Sequence, residues 1–184
     1  MAGLLYGASY DSSTHTVSLT DKAGNVIYSF VVDLQPEPII DDPTKPLYLR
    51  SLANGSQFGV TKYRASSSAP YPNPRLEMSQ DGVTWSDLTI GQWYTINVGQ
   101  GYYIRTKYNR NFKQSTQGFF YFSITGTVEA YHNALSLLEK ETFASLTDLT
   151  TLYDSGLYAL CGCFASCSGL IKAPLLTATA ASVG

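Results

Sequence analysis

The sequence predicts an all-β chain with an N-terminal β-hairpin, a Pro-rich linker, an immunoglobulin-like β-sandwich and the beginning of a solenoid repeat. Three observations predict it. Charged residues make up only 14% of the 184, against roughly a quarter in an average soluble domain. The polarity comes instead from Ser, Thr, Asn, Gln and Gly, and 14 tyrosines dominate the aromatic content. Tyr, Thr, Val, Ile and Phe suit a pleated, half-buried surface, and Gly and Asn suit the turns between strands. The third observation is periodicity: short apolar runs alternate with polar positions and are punctuated by turn residues every few residues.

Residues 1–34 read as one hairpin. Thr14-His15-Thr16-Val17-Ser18-Leu19-Thr20 alternates polar and apolar, Asp21-Lys22-Ala23-Gly24-Asn25 has turn chemistry, and Val26 to Val32 forms the second strand. A lone two-stranded hairpin is marginal in water. Val17, Leu19, Val26, Tyr28, Phe30 and Val32 are therefore the candidate residues for attachment or oligomerisation, unless the strands pack on the next domain of their own chain. Residues 35–46 carry Pro36, Pro38, Pro43 and Pro46 among Glu37, Asp41 and Asp42. Proline at that density removes ladder donors and favours an extended, semi-rigid segment, so the stretch reads as a linker.

Residues 47–130 supply the sandwich. Strands are expected at Leu47-Tyr48-Leu49, Phe58 to Tyr63, Arg75 to Ser79, Val83-Thr84-Trp85, Tyr94 to Val98, Tyr102 to Thr106 and Phe119 to Thr125. Asp81-Gly82 has the composition of a two-residue hairpin turn, and Trp85 is the expected aromatic anchor of the core. Short strands at this spacing suggest an immunoglobulin-like or fibronectin-like sandwich. From residue 131 to 184 the pattern changes to irregularly spaced leucines, Leu135, Leu137, Leu138, Leu146, Leu149, Leu152, Leu157, Leu160 and Leu170. Such spacing is that of solenoid repeats, of which about three are needed to bury a face. The expectation is that further repeats follow Gly184.

Formal net charge is -2, from 12 basic and 14 acidic residues, with no cluster of Lys or Arg. A nucleic-acid partner is not expected, because phosphate backbones are met by concentrated positive charge. No apolar run approaches the ~18 residues of a membrane helix, and the first ten residues lack the basic-then-apolar order of a signal peptide. The chain is accordingly expected to be made and kept in the cytoplasm until assembly. Cys161, Cys163 and Cys167 are an odd, clustered set, a poor disulfide framework. With neither His15 nor His132 near them in sequence, they read as small buried hydrophobes and not as metal ligands.

No catalytic residues and no cofactor are expected. A nucleophilic triad needs a histidine between an acid and a Ser or Cys, and neither His15 nor His132 has that neighbourhood in sequence. There is no Gly-x-Ser-x-Gly elbow and no glycine-rich phosphate loop. Ser79-Gln80-Asp81-Gly82-Val83-Thr84-Trp85 superficially resembles the Asp-box of sialidase-type propellers. It is one residue short between Asp and Gly and occurs once, so a hairpin turn is the expected reading. Trp93, Tyr94, Tyr102 and Tyr103, with Tyr108, are the candidate glycan or protein contacts, since aromatic faces stack on sugars and anchor interfaces. The alternative is that they are core and edge aromatics. Arg105, Lys107 and Arg110 read as a solvated strand face or a subunit contact.

The segment Tyr158 to Leu176, YALCGCFASCSGLIKAPLL, resembles BspA-like leucine-rich repeats, with Phe164, Cys167, Leu170, Ala173 and Pro174 at the matching positions. His132 to Leu138 is similar to the lead-in of such repeats, whereas Ser168-Gly169 departs from the usual Thr-Ser. The resemblance covers about the last fifty residues. It implies a surface protein of gut Bacteroidales or a fibre protein of phages that infect them. The N-terminal strand pair, Gly-Asn turn and Pro-rich linker also resemble the start of phage fibre proteins. The phage setting implies a homo-oligomeric head or tail fibre, trimer or dimer, located in the virion. Its N-terminus would bind a capsid or tail protein and its repeats a host surface polysaccharide or protein. The alternative is an adhesin or glycan-binding module on the bacterial cell surface.

Overall fold

The computed structural model describes residues 6–14, 16–32, 37–64, 75–108, 118–145, 163–165 and 167–176. The protein is all-β, and the chain divides into two units, Met1–Pro38 and Ile39–Gly184.

The first unit is a three-stranded antiparallel sheet and not the two-stranded hairpin expected. Its strands are β1 (Gly7–Asp11), β2 (Thr16–Thr20) and β3 (Val26–Val31), in the order β1-β2-β3. β1 has weak strand composition, Gly-Ala-Ser-Tyr-Asp, and is recruited by the free edge of β2. The β2–β3 turn follows its chemistry. The Asp21 carboxylate accepts from the backbone N–H of Ala23 and Asn25 and from the Asn25 amide, while Gly24 takes φ +86°. His15 lies outside the described residues.

In the second unit, β4 (Leu47–Ser51), β6 (Leu76–Ser79), β7 (Ser86–Leu88), β9 (Gly101–Thr106), β11 (Val128–Tyr131) and β12 (Leu170–Lys172) form one sheet, ordered β12-β11-β4-β9-β6-β7. A second sheet, ordered β10-β5-β8, contains β5 (Ser56–Arg64), β8 (Trp93–Ile96) and β10 (Gly118–Thr125). All pairings are antiparallel except β11–β12. Both sheets contribute to one core. Leu47, Leu49, Leu76, Ile104, Val128 and Ala130 come from the larger sheet, and Phe58, Val60, Ile96, Phe122 and Ile124 from the smaller. Each of these side chains except the small Ala130 contributes about 1.5–3 kcal/mol by leaving water.

Strand alternation supplies the inward and outward sets. Leu47 and Leu49 face the core while Tyr48 and Arg50 face away, and Val128 and Ala130 face it while Glu129 and Tyr131 do not. Gly101 lies opposite Arg50 where β9 crosses β4, and a Cβ there would collide with the Leu49 carbonyl and the Tyr48 ring. Glycine in this strand marks that close approach.

Several sequence expectations need correction. Asp81-Gly82 is not a two-residue turn: the last β6–β7 pair is Met78↔Ser86, and residues 80–85 form a six-residue loop between the strands. The Asp81 carboxylate organises that loop, accepting from Val83 N–H, Thr84 N–H and the Ser79 hydroxyl, and so prevents tight closure. The strand therefore starts at Ser86 and not at Val83. Trp85 is not the core anchor. It sits on the loop with the Arg105 guanidinium 3.7 Å above its ring, and among the described residues the fully buried aromatics are Phe58 and Phe122. The 35–46 segment is not wholly a linker either, because Asp41 to Pro46 is hydrogen-bonded into the second unit. Nor does the chain leave the sandwich at residue 131. Tyr131 through Glu139 is buried, and the 3-10 turn Ala134–Leu137 plugs the sheet. Ser136 Oγ accepts from Leu47 N–H and donates to the Ile104 carbonyl, bridging β4 and β9 where their ladder ends. Among the described residues there is no solenoid.

Candidate docking face and aromatic clusters

The register of the N-terminal sheet sorts its side chains by face. Ala8 lies opposite Leu19 and Leu19 opposite Tyr28, while Tyr10 lies opposite Val17 and Val17 opposite Phe30. Six apolar or aromatic residues, Ala8, Tyr10, Val17, Leu19, Tyr28 and Phe30, thus occupy one face, whereas a register shift between Leu19 and Thr20 sets Val26 opposite Thr20 on the other. The other face carries Ser9, Ser18 and Ser29 in one row and Asp11, Thr16 and Val31 in the next. The sheet is amphipathic. Among the described residues of the unit no second layer covers this face, and Tyr28 is 61%, Phe30 44% and Tyr10 51% exposed. The Tyr28 and Phe30 ring centroids are 6.0 Å apart. Four of the six strand residues singled out from sequence, Val17, Leu19, Tyr28 and Phe30, thus share one face, and Val26 does not, because the ladder shifts register beside Thr20. Val32 follows the end of β3 and is half-buried. Ala8 and Tyr10 were not foreseen, because β1 was not.

The aromatic residues proposed as a second contact site do not come together. Successive strand residues point to opposite faces, which splits both pairs. Tyr94 stacks on Phe58 at 5.3 Å, and its hydroxyl accepts from Thr89 N–H. Tyr102 packs on Phe58 at 5.7 Å and its hydroxyl accepts from the Gln80 amide. These two line the core. Trp93 is on the opposite face of the smaller sheet, 48% exposed. Tyr103 is on the outer face of the larger sheet, 4.5 Å from the Tyr48 ring. Tyr108 lies beyond β9 with the Arg75 guanidinium 5.7 Å from its ring. Arg105 donates to Glu77 at 2.6 Å and Lys107 to Asp87 at 2.6 Å, so both are paired, and Arg110 lies outside the described residues.

That outer face instead assembles a polar and aromatic layer. Arg50 donates to both Glu129 and the Tyr131 hydroxyl at 2.7 Å, and Tyr131 donates to Glu129 at 2.5 Å. Lys172 reaches across from β12, bonding Asp41 at 2.7 Å and sitting 3.7 Å from the Tyr131 ring centroid. Burial opposes ionisation of Glu129, but the Tyr131 hydroxyl and the Arg50 guanidinium outweigh it and hold the carboxyl below its usual range. Burial and the Glu129 carboxylate push the Tyr131 phenol up to about 12. The layer joins residues up to 131 positions apart in the chain. Its only trace in sequence is alternation, in Leu-Tyr-Leu-Arg and Val-Glu-Ala-Tyr.

His132 holds the 41–46 segment against this layer. Its backbone N–H donates to Asp41, its Nδ1 accepts from Asp42 N–H at 3.1 Å, and its ring lies parallel to Tyr103 at 6.1 Å. The residue takes φ +63°, a left-handed conformation rare outside glycine. With Nδ1 accepting, the ring is a neutral clamp and not a base presented to a nucleophile. Burial lowers its pKa; Lys45 and Lys172 add to this, while Asp41 and Asp42 oppose it. The unfolded chain takes up a proton near pH ~6.5 and the folded chain only at lower pH. The contribution of His132 to stability is thus full above that pH and declines as pH falls through it. Thermal unfolding of the second unit is expected at lower temperature at pH ~5.5 than at pH ~7.5, and the difference should shrink in His132→Gln.

Cys163 is buried and Cys167 half-buried against the core, and burial raises both thiols, Cys167 to about 11. They pack as small apolar groups, and Cys161 lies outside the described residues. Among the described residues there is no grouping of three or more His, Cys, Asp or Glu side chains able to hold a metal ion, and no helix long and apolar enough to cross a membrane. No protein-family model, no curated protein and no solved structure matches the chain.

Proposed function

We propose that the protein is a non-enzymatic structural subunit of a fibre, a head or tail fibre of a phage virion, anchored through its N-terminal sheet. The observation that carries this reading is the uncovered apolar face of β1-β2-β3. A single-layer sheet with one apolar face requires another surface to bury it. The first unit is in this sense an incomplete domain, whereas the second unit has its own core.

The remaining parts fit a projecting body. The pairings β5–β8, β6–β7 and β6–β9 correspond to B–E, C–C′ and C–F of an immunoglobulin-like sandwich. The outer strands depart from it, with β4 on β9 and β10 on β5. The start of leucine-rich repeats is supported by the parallel pairing of β12 with β11, by Phe164 stacked on Phe122 at 5.3 Å, and by Cys167 and Leu170 against the core. Each further repeat would add a parallel strand to β12 and extend a host-contacting surface.

One observation favours the alternative of a glycan-binding surface module. An open cleft of about 440 Å³ is lined by Gln80, Asp81, Thr84, Ser86, Met78 and Tyr102, a mixture of hydroxyl, amide, carboxylate and aromatic groups suited to a sugar ring.

The test is incorporation. Tagged chains with and without residues 1–34 are produced in the native source, and the large-particle fraction is assayed for each. The full chain is expected in the particles and the deletion among free protein. Equal occupancy by the deletion would overturn the fibre reading and leave the cleft as the better guide.

A further inference from the structure

We propose that the outer face of the smaller sheet is a binding platform for an uncharged polysaccharide, with the Trp93 indole as the surface on which a sugar ring stacks. This goes beyond the fibre reading and lies on the second unit, away from the N-terminal sheet that carries that reading.

The register sorts the two faces. Phe58, Val60, Ile96, Phe122 and Ile124 point into the core, and the β10–β5 and β5–β8 ladders run without a register shift. Their alternates therefore point outward. Ser123, Gly59 and Trp93 form one row across the three strands. Tyr121 and Thr61 lie in the row on one side, and Thr125, Gln57 and Thr95 in the row on the other.

Gly59 decides how the indole lies. It has outward parity yet is buried. The Gln92 carbonyl would be 2.8 Å and the indole Cδ2 3.6 Å from a Cβ at that position. Glycine within a strand marks such a close approach. The indole thus rests against the sheet at Gly59 and keeps its outward side in water, at 48% exposed. Among the described residues no ring, cation or hydrogen bond engages it.

The surroundings of the indole select a sugar over other ligands. Among the described residues the outward positions carry hydroxyls, an amide and a phenol, with no Asp, Glu, Lys or Arg and no aliphatic side chain larger than threonine. A phosphate backbone requires cations, and an acidic polysaccharide requires them for the same reason. A protein partner is met by a core of several apolar side chains, which this face lacks. A pyranose matches what is present. Its C–H side is apolar and stacks on an aromatic ring, while its hydroxyls bond the polar groups around that ring. The Gln57 amide donates to the Thr95 hydroxyl at 3.2 Å, which leaves the Thr95 proton and the Gln57 carbonyl to serve sugar hydroxyls. With strands ~4.8 Å apart, the row from Trp93 to Ser123 spans about 10 Å, long enough for two linked rings.

The test is retardation of the full chain in native gels containing dextran, galactomannan, xyloglucan or hydroxyethyl cellulose, with polygalacturonate and hyaluronan as acidic controls. Retardation by at least one neutral polysaccharide and by neither acidic one is expected. Trp93→Ala should weaken it about tenfold or more, the scale for truncating an aromatic anchor. Gln80→Ala/Thr84→Ala, in the cleft beside Tyr102, should bind as the parent does. The thermal unfolding temperature of each variant verifies that the second unit stays folded. Tryptophan emission gives a second readout that needs no truncation. In the parent it should shift to the blue as the retarding polysaccharide is added, and in Trp93→Phe, which keeps only Trp85, it should not.

No retardation by any of the neutral polysaccharides would overturn the inference, as would equal or stronger retardation by the acidic ones. Full binding by Trp93→Ala, or loss of binding in the cleft variant, would overturn the assignment to this face. The fibre reading stands or falls separately, on whether residues 1–34 are needed to enter particles.

Discussion

Phe122→Ala is expected to destabilise the second unit by about 3–5 kcal/mol, the range for removing a fully buried aromatic ring. Phe122 has no exposed surface and lies on β10, between the core and the C-terminal segment. Its ring stacks on Phe164 with the planes 10° apart. Its backbone N–H donates to the Cys163 carbonyl, and its carbonyl accepts from the Cys167 thiol at 3.0 Å. Removing the ring leaves a cavity and also removes the surface on which Phe164 is seated. Chemical denaturation followed by tryptophan emission should show a lower midpoint. Labelling with a thiol-reactive probe, read peptide by peptide, should show Cys163 and Cys167 reacting faster than in the parent. An unchanged midpoint would mean that the core tolerates the void. An unchanged labelling rate would mean that the C-terminal segment is held independently of Phe122.

Glu129→Ala is expected to cost about 3 kcal/mol, for a different reason. The Arg50 side chain is 8% exposed and the Glu129 side chain 18%, and truncating the acid removes a carboxylate 2.7 Å from a buried guanidinium, which costs about 3–5 kcal/mol when such a pair is broken. The tyrosine between them also loses its acceptor. Replacing both partners, Arg50→Met with Glu129→Leu, should recover most of the loss, since the cost comes from an orphaned charge more than from the pair itself. The same denaturation experiment measures both variants. A double variant no more stable than Glu129→Ala would show that the pair is needed for the alignment of β4 and β11, beyond its electrostatics.

The sandwich region illustrates what pattern reading resolves. Leu47-Tyr48-Leu49, Phe58 to Tyr63, Tyr102 to Thr106 and Phe119 to Thr125 are all strands, because alternation and β-branched or aromatic content act locally. The β6–β7 loop was not legible. A carboxylate at Asp81 that collects two backbone N–H groups and a hydroxyl makes a wide loop from a pair that, elsewhere, closes a tight turn. Trp85 was misplaced for a related reason: the loop carries it away from the core and onto Arg105, a partner twenty residues along the chain.

Sequence alone determined the all-β class and the approximate strands. It also determined the apolar parity of Val17 with Leu19 and of Tyr28 with Phe30, since in a strand the side-chain period is two, but not the face of Val26, which a register shift beside Thr20 decides. Tertiary structure decided everything that depends on which strand lies beside which. It added β1 to the N-terminal sheet, separated Trp93 from Tyr94 and Tyr102 from Tyr103 onto opposite faces, and drew Asp41, Arg50, Glu129, Tyr131 and Lys172 into one layer. Neighbour choice among strands is a long-range free-energy comparison over burial and hydrogen bonding, and no local window of residues contains it.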